Sequence, residues 1–345
     1  MKTYLITGGA GFYGSILKKE LIQEGNFCVS IDLEKDDFKN ENFVAIQGDI
    51  RNTNTLNEIF EKYKFDAIFH CAALLAHEVK NKNDLWTSNV DGTKNIVEYA
   101  VKNGCKKILF ISSNCLWGKN FDNLVTEEET PEPIEIYGKS KLEGEKILLS
   151  NSEKVNSIIF RSPTIIDEGR LGLLSLLFEF IDENRKVPIV GDGTNKYQFI
   201  YAKDMVKAMK LALNYDKTEI FNIGSDDVKS FNDVYKYVIE KAGSKSKLLH
   251  FPKNLMTLCM KICFLLRISP LGPYQYKMIS ANFVFDTAKI KEKLNFEPTL
   301  TNEEMLLKSY DYYHKNRKEI EGRKDVSAHN KNAKMGVIRI LKWMM

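Results

Sequence analysis

With 345 residues, 43% hydrophobic and 28% charged, the chain is long enough for about two compact units and lies outside the compositions of disordered or fibrous proteins. A net charge of +4 is too small to imply nucleic acid as a partner, and it is unevenly placed: Lys315 to Met345 carry nine basic and three acidic residues, net +6, leaving −2 for the rest. No segment reaches the roughly 18 consecutive apolar residues that cross a bilayer.

Short apolar runs at Thr3 to Thr7, Cys28 to Asp32, Phe43 to Gln47, Ala67 to Cys71, Lys107 to Ser112 and Val155 to Arg161 predict strands. Amphipathic stretches at Ser15 to Glu24, Leu56 to Tyr63, Leu85 to Val101 and Lys139 to Leu149 predict helices between them. Strand and helix in alternation predict an α/β fold with a doubly wound parallel Rossmann sheet over residues 1–165, to which a segment near 195–225 returns. After Pro163 longer helical patterns, Leu171 to Asn184 and Asn232 to Ala242, predict a smaller, mostly helical C-terminal substrate lobe over 166–313. Residues 314–345, rich in Lys, Asn and Glu, predict a basic, flexible tail.

The six cysteines (Cys28, Cys71, Cys105, Cys115, Cys259 and Cys263) lack C-x-x-C spacing and sit in apolar sequence, so buried, reduced thiols are expected rather than disulfides or a metal site. The chain enters its first strand-like run at Thr3 without a charged leader and apolar stretch, so a cytoplasmic location is expected.

Thr7-Gly8-Gly9-Ala10-Gly11-Phe12-Tyr13-Gly14 joins the first strand to the first helix. Glycine is required where a backbone turns tightly and brings its N–H groups to a pyrophosphate at a helix N-terminus. Asp32 ends the second strand eighteen residues beyond Gly14, where a carboxylate accepts from the hydroxyls of an adenosine ribose and repels a 2′-phosphate. NAD is therefore expected over NADP, with Gly8, Gly11, Phe12, Tyr13 and Gly14 around its phosphates. Gly48-Asp49-Ile50-Arg51 follows the third strand, and in such a fold Asp49 and Ile50 lie beside the adenine.

Tyr137-Gly138-Lys139-Ser140-Lys141 opens a helix. A tyrosine and a lysine four apart share one face, and an ammonium beside a phenol stabilises the phenolate, which makes a proton shuttle near neutral pH. Tyr-x-x-x-Lys is frequent by chance, and its weight here comes from Ser113 at the end of the fifth strand, a hydroxyl placed to polarise the same oxygen.

Together these motifs resemble the extended short-chain dehydrogenase/reductase family in its NAD-dependent epimerase/dehydratase branch, over roughly Lys2 to Tyr313. His70-Cys71-Ala72-Ala73 resembles the segment that passes the cofactor phosphates, and Asn89-Val90-Asp91-Gly92-Thr93 resembles the helix after it. Arg161-Ser162-Pro163 resembles the stretch near the nicotinamide, and Gly191-Asp192-Gly193 through Asp204 resembles the signature of the substrate lobe. The resemblance implies Tyr137 as general acid/base, Lys141 as its pKa modifier and ribose anchor, and Ser113 as donor to the reacting oxygen. It places Ala72, Ala73, Asn89 and Pro163 with the cofactor. It also implies a homodimer paired through two helices.

Two departures bear on the substrate. Water-eliminating members carry Asp-Glu after the catalytic hydroxyl, and this chain has Asn114-Cys115, which argues against a dehydratase and a decarboxylase. Where many sugar-nucleotide enzymes place an Arg against the diphosphate, this chain has Tyr197 with Lys196 beside it, so Asn114, Lys196 and Tyr197 are the expected substrate contacts.

Leu255 to Leu266 is apolar nearly all round. A buried helix of the substrate lobe is the expectation, with a lipid-facing entrance as the alternative. Met335 to Met345, cationic and Trp-bearing, leaves a second membrane contact open. The leading expectation is an NAD-dependent epimerase or dehydrogenase acting through a transient ketone on a nucleotide-linked sugar. A 3β-hydroxysteroid-type enzyme on a hydrophobic or lipid-linked substrate is the alternative, and a non-catalytic NAD-sensing protein the minor one.

Overall fold

The computed structural model describes residues 1–75, 81–266 and 272–322. In the first half, β1 (Thr3–Thr7), α1 (Phe12–Gln23), β2 (Phe27–Asp32), β3 (Phe43–Gln47), α2 (Thr53–Lys62) and β4 (Ala67–His70) follow in order. After them come α3 (Lys82–Trp86), α4 (Gly92–Lys102), β5 (Lys107–Ser113), α5 (Ile136–Ser150) and β6 (Asn156–Ser162). The second half holds β7 (Thr164–Ile166), α6 (Leu174–Asp182), β8 (Val187–Val190), β9 (Phe199–Tyr201), α7 (Ala202–Ala212) and β10 (Glu219–Asn222). It ends with α8 (Phe231–Lys241), β11 (Leu248–Phe251), α9 (Lys253–Leu265), α10 (Pro273–Met278), α11 (Ala288–Leu294) and α12 (Asn302–Gly322).

Seven parallel strands form the main sheet in the order β10-β6-β5-β4-β1-β2-β3. The central strands are apolar without interruption because both faces are covered. Alternate residues feed two cores: Tyr4, Ile6, Cys28, Phe69, Leu109 and Phe160 pack under α1 and α7, whereas Leu5, Val29, Ile68, Phe110 and Ile159 pack under α2, α4 and α5. The chain runs outward from β1 to β3 and then returns to β4 on the other side of β1, so a crevice opens beyond the carboxyl ends of β1 and β4.

A third core joins α6, α8 and α12 through Phe178, Ile181, Val234, Val238, Leu306 and Tyr310. The returning segment contributes β10 to the main sheet, while β9 pairs with β7 in a separate two-stranded ladder. Helix α12 carries the chain past 314, where the sequence suggested a flexible tail. Arg317 bridges Asp182 and Glu183 at 2.6 Å each, and Ile320 is buried. Met335 to Met345 lie outside the described residues.

Helix α9 forms where the apolar run predicts it, but the expectation of burial is overturned. Met260 is its one buried residue, whereas Leu255, Leu258, Ile262 and Leu265 are exposed. Cys259 on the same helix is exposed as well, against the expectation of buried thiols, while Cys28 and Cys105 are buried. All six cysteines are free. No described helix is long and apolar enough to cross a membrane.

Candidate active site

The turn after β1 is shaped by close backbone approach. Gly8 adopts φ +75°, and a Cβ there would lie 2.8 Å from the Cα of Ala72; a Cβ on Gly14 would lie 2.1 Å from the Gly8 carbonyl oxygen. Helix α1 starts after Gly11 with no side-chain cap and no acidic residue in its first turn, which leaves its positive end suited to an anion. The Asp32 carboxylate stands beside this turn, accepting from the Ala10 N–H at 2.9 Å and the Glu34 N–H at 3.0 Å.

Phe12 and Tyr13 turn their side chains into the core. Both are buried, and the Tyr13 hydroxyl meets the Met209 sulfur at 3.2 Å, so what they offer a cofactor is backbone. Lys18, which the sequence reading passed over as part of an ordinary helix face, is buried; it donates to the Gly9 carbonyl at 3.1 Å and pairs with Asp36, tying the turn to the segment after β2.

At the end of β4 the His70 ring is clamped between Thr7 Oγ1 at 2.7 Å and Thr93 Oγ1 at 2.8 Å. Thr93 spends its proton on the Asn89 carbonyl, so it accepts from Nε2–H, and Nδ1 accepts from Thr7. Burial pushes the His70 pKa down to about 3, which keeps the ring neutral. Thr7 Oγ1 also receives the Ala72 N–H at 3.1 Å, fixing the start of the Ala72-Ala73 segment beside Gly8. The Asn89 amide is fully engaged by protein: its oxygen accepts from Leu74 N–H, and its nitrogen donates to the Leu74 carbonyl and to Ser140 Oγ. It therefore clasps the segment after β4 to α5 and supports the cofactor crevice from behind. The wide π-helical turn Thr87–Asp91 holds it there.

Asp49 is gripped by the Arg51 guanidinium at 2.6–3.0 Å, which outweighs the upward push of partial burial and holds its pKa below the usual value. Ile50 is buried against Gly92, where a Cβ would meet it at 2.6 Å.

The reacting side is built by β5 and α5. Ser113 Oγ accepts from the Cys115 N–H at 3.1 Å, capping a 3-10 turn over Asn114–Leu116 and fixing the oxygen at the strand end. A Cβ on Gly138 would lie 2.1 Å from the Cys115 carbonyl oxygen. Only glycine lets the first turn of α5 press on that 3-10 turn, and this brings the Tyr137 segment against the Ser113 segment. One turn on, Lys141 is buried, donates to the Ile111 carbonyl at 2.8 Å, and holds its ammonium 6.0 Å from the centre of the Tyr137 ring. Burial lowers the Lys141 pKa to about 8, with Cys71 and Glu145 pulling the other way.

A further turn on, Glu145 accepts from Ser112 Oγ at 2.5 Å and from Arg161 at 2.8 and 3.1 Å, while Arg161 also donates to the Glu127 carbonyl at 2.8 Å. Both charges are buried. This pair anchors β6, and through it Pro163, to the back of α5. Sequence spacing contained Glu145 eight residues after Tyr137, on the same helix face, but nothing there announced its partner.

On the substrate side the Asn114 amide donates to the Tyr197 hydroxyl at 2.5 Å, and that hydroxyl lies 3.2 Å from the hydroxyl of Tyr274 on α10. Burial pushes the Tyr197 pKa up to about 12, so the group is a neutral phenol where an arginine was weighed. Lys196 does not join them. Its exposed side chain lines a separate groove with Asp226, Asp286 and Lys291, on the opposite side of the extended segment from Tyr197, so the structure does not bring it together with Asn114 and Tyr197.

Residues 4–224 match the NAD dependent epimerase/dehydratase family. The uncharacterized protein y4nG of Sinorhizobium fredii is 30% identical over 347 residues, covering all of this chain and 87% of that protein. A putative UDP-glucose 4-epimerase of Methanocaldococcus jannaschii is 30% identical over 71% of this chain and 84% of its own length. Among solved structures, the UDP-glucose 4-epimerase of Thermotoga maritima with UDP-glucose superposes with a TM-score of 0.76 at 26% identity, covering 91% of this chain and 99% of that one. The glycine turn, the acid closing β2 and the Tyr137/Lys141 pair thus sit in a fold and a sequence that make this chain a member of the NAD dependent epimerase/dehydratase family.

Proposed function

We propose that the chain is an NAD-dependent epimerase or dehydrogenase that oxidises one hydroxyl of a nucleotide-linked sugar to a transient ketone. The observation that carries this reading is the buried Lys141 ammonium beside the Tyr137 ring, on a helix packed against the turn that Ser113 caps. The chain's fit to NAD rests on the glycine turn, whose approach to Ala72 and α1 admits no Cβ at Gly8 or Gly14, and on the acceptor oxygens of Asp32. Bound there, NAD supplies a hydride acceptor for the carbinol carbon.

Tyr137 takes the hydroxyl proton as the C–H electron pair leaves the same carbon, and Ser113 donates a hydrogen bond to the oxygen as it becomes a carbonyl. The Lys141 ammonium favours the negative charge on the Tyr137 oxygen and would anchor the ribose of bound NAD. Tyr137 returns the proton when the carbon is reduced again. Reduction on the opposite face inverts the centre; release of the ketone makes the net reaction a dehydrogenation. Asn114 and Cys115 offer no carboxylate for elimination, which favours either outcome over dehydration.

The experiment is turnover of UDP-glucose and UDP-glucuronic acid with NAD, reading sugar configuration by NMR alongside NADH release. Inversion without NADH release marks an epimerase, and stoichiometric NADH a dehydrogenase. Tyr137→Phe is expected to lower kcat/KM about a thousandfold with NAD affinity retained; full activity in that variant would overturn the proton route.

A further inference from the structure

We propose that α9 is an interfacial helix that docks this protein on an anionic lipid bilayer. Leu255, Leu258, Ile262 and Leu265 recur at i, i+3, i+7 and i+10, which lines them along one side of the helix, and they are 57%, 54%, 47% and 78% exposed. Leu266 extends the stripe at 63%. The opposite side holds the helix to the body through Met260, and Phe264 and Lys261 both meet the ring of Tyr276 on α10. The apolar stripe is thus turned outward, and its placement is fixed by packing from behind.

Charge identifies what covers it. From Lys241 to Phe285 the sequence contains seven Lys and Arg residues and no Asp or Glu, so this stretch carries +7 in a chain whose total is +4. An apolar stripe in a cationic stretch of chain that itself carries no acid, with Glu135 at the start of α10 the nearby carboxylate, matches the acyl boundary and headgroups of an anionic bilayer, each lysine near the surface adding to binding. A second copy of the same face brings +7 against +7. The chain's own last residues are no better matched, because 323–345 contain six Lys and Arg and one Asp. The helix is too short to span, so it lies in the interface. Since α10 also carries Tyr274 to Tyr197, docking sets the substrate side of the crevice close to the lipid surface.

The test is flotation of the full chain with vesicles of phosphatidylcholine alone and of phosphatidylcholine with phosphatidylglycerol. Binding is expected on the anionic vesicles, weakening as salt rises, with little on the neutral ones. In Leu258→Gln/Ile262→Gln/Leu265→Gln, partitioning is expected to fall roughly tenfold or more, with the unfolding midpoint and turnover of soluble substrate unchanged. Three results overturn the proposal: no vesicle binding by the parent chain, equal binding by the triple variant, or a parent dimer that the variant dissociates without any vesicle binding. None of them touches the catalytic reading, which is decided by turnover in solution.

Discussion

Replacing Lys141 by methionine separates what this residue does for the fold from what it does for the reaction. Its pKa falls from 10.5 to about 8 because the ammonium is buried, and that gap means the charged form costs the folded chain about 3 kcal/mol at neutral pH. Methionine keeps the length of the side chain and removes the charge, but forfeits the hydrogen bond to Ile111, worth about 1 kcal/mol. Lys141→Met is therefore expected to be about 2 kcal/mol more stable than the parent at pH near 7, in NAD-free protein. Between about pH 8 and 10.5 the unfolded chain holds the Lys141 proton and the folded chain has lost it, so parental stability rises with pH while the variant gains nothing from this group. The advantage should vanish by about pH 10 and turn slightly negative. Urea unfolding followed by circular dichroism across that range measures the difference, and turnover of the same samples should fall at least about a hundredfold. A variant less stable by the same amount at every pH would refute the reasoning, because the ammonium would then be a net stabiliser.

Asp32→Asn removes the charge that repels a 2′-phosphate while keeping the acceptor for Ala10 N–H; NADP affinity relative to NAD, measured by titration calorimetry, should rise roughly tenfold. Gly138→Ala sets a Cβ against the Cys115 carbonyl at 2.1 Å, with backbone on both sides and little room to yield, so kcat should fall further than NAD affinity does. Glu145→Gln leaves the buried Arg161 uncompensated and should destabilise the fold by about 3–5 kcal/mol in urea denaturation.

The sheet was readable because its signals are local. Apolar runs of strand length, separated by helix-length amphipathic stretches, place six strands within a residue or so of where they form, and the glycine turn with Asp32 marks the crevice from spacing alone. What escaped depends on partners far along the chain. Lys18 reads as one more polar residue of α1 until Asp36 and Gly9 enclose it. Gly138 reads as a helix-weakening residue until the Cys115 carbonyl is seen against it. The burial expected of α9 failed for the opposite reason: hydrophobicity says that a surface should leave water but not whether protein or lipid receives it. Lys196 and Tyr197 are adjacent in sequence, but in extended chain adjacency sends side chains to opposite sides.

Helix α5 shows how the requirements of fold and chemistry are reconciled on one face. Tyr137, Lys141 and Glu145 follow at intervals of four, and the two ionic groups among them are buried where either alone would be unfavourable. Glu145 is matched by the Arg161 fork and Ser112, so its charge is satisfied by protein. Lys141 has the Ile111 carbonyl and the faces of Phe110 and Tyr137, but among the described residues no carboxylate lies within salt-bridge distance. Were Glu145 free to swing toward it, the pair would satisfy each other, and the ammonium would have less to gain from a phenolate. By engaging Glu145 from behind, Arg161 leaves Lys141 without a carboxylate partner among the described residues, and in the proposed mechanism a ribose hydroxyl and the Tyr137 oxygen would complete it. On the proposed mechanism, the Arg161–Glu145 pair would bear on the reaction without touching the substrate, by denying the lysine this alternative partner.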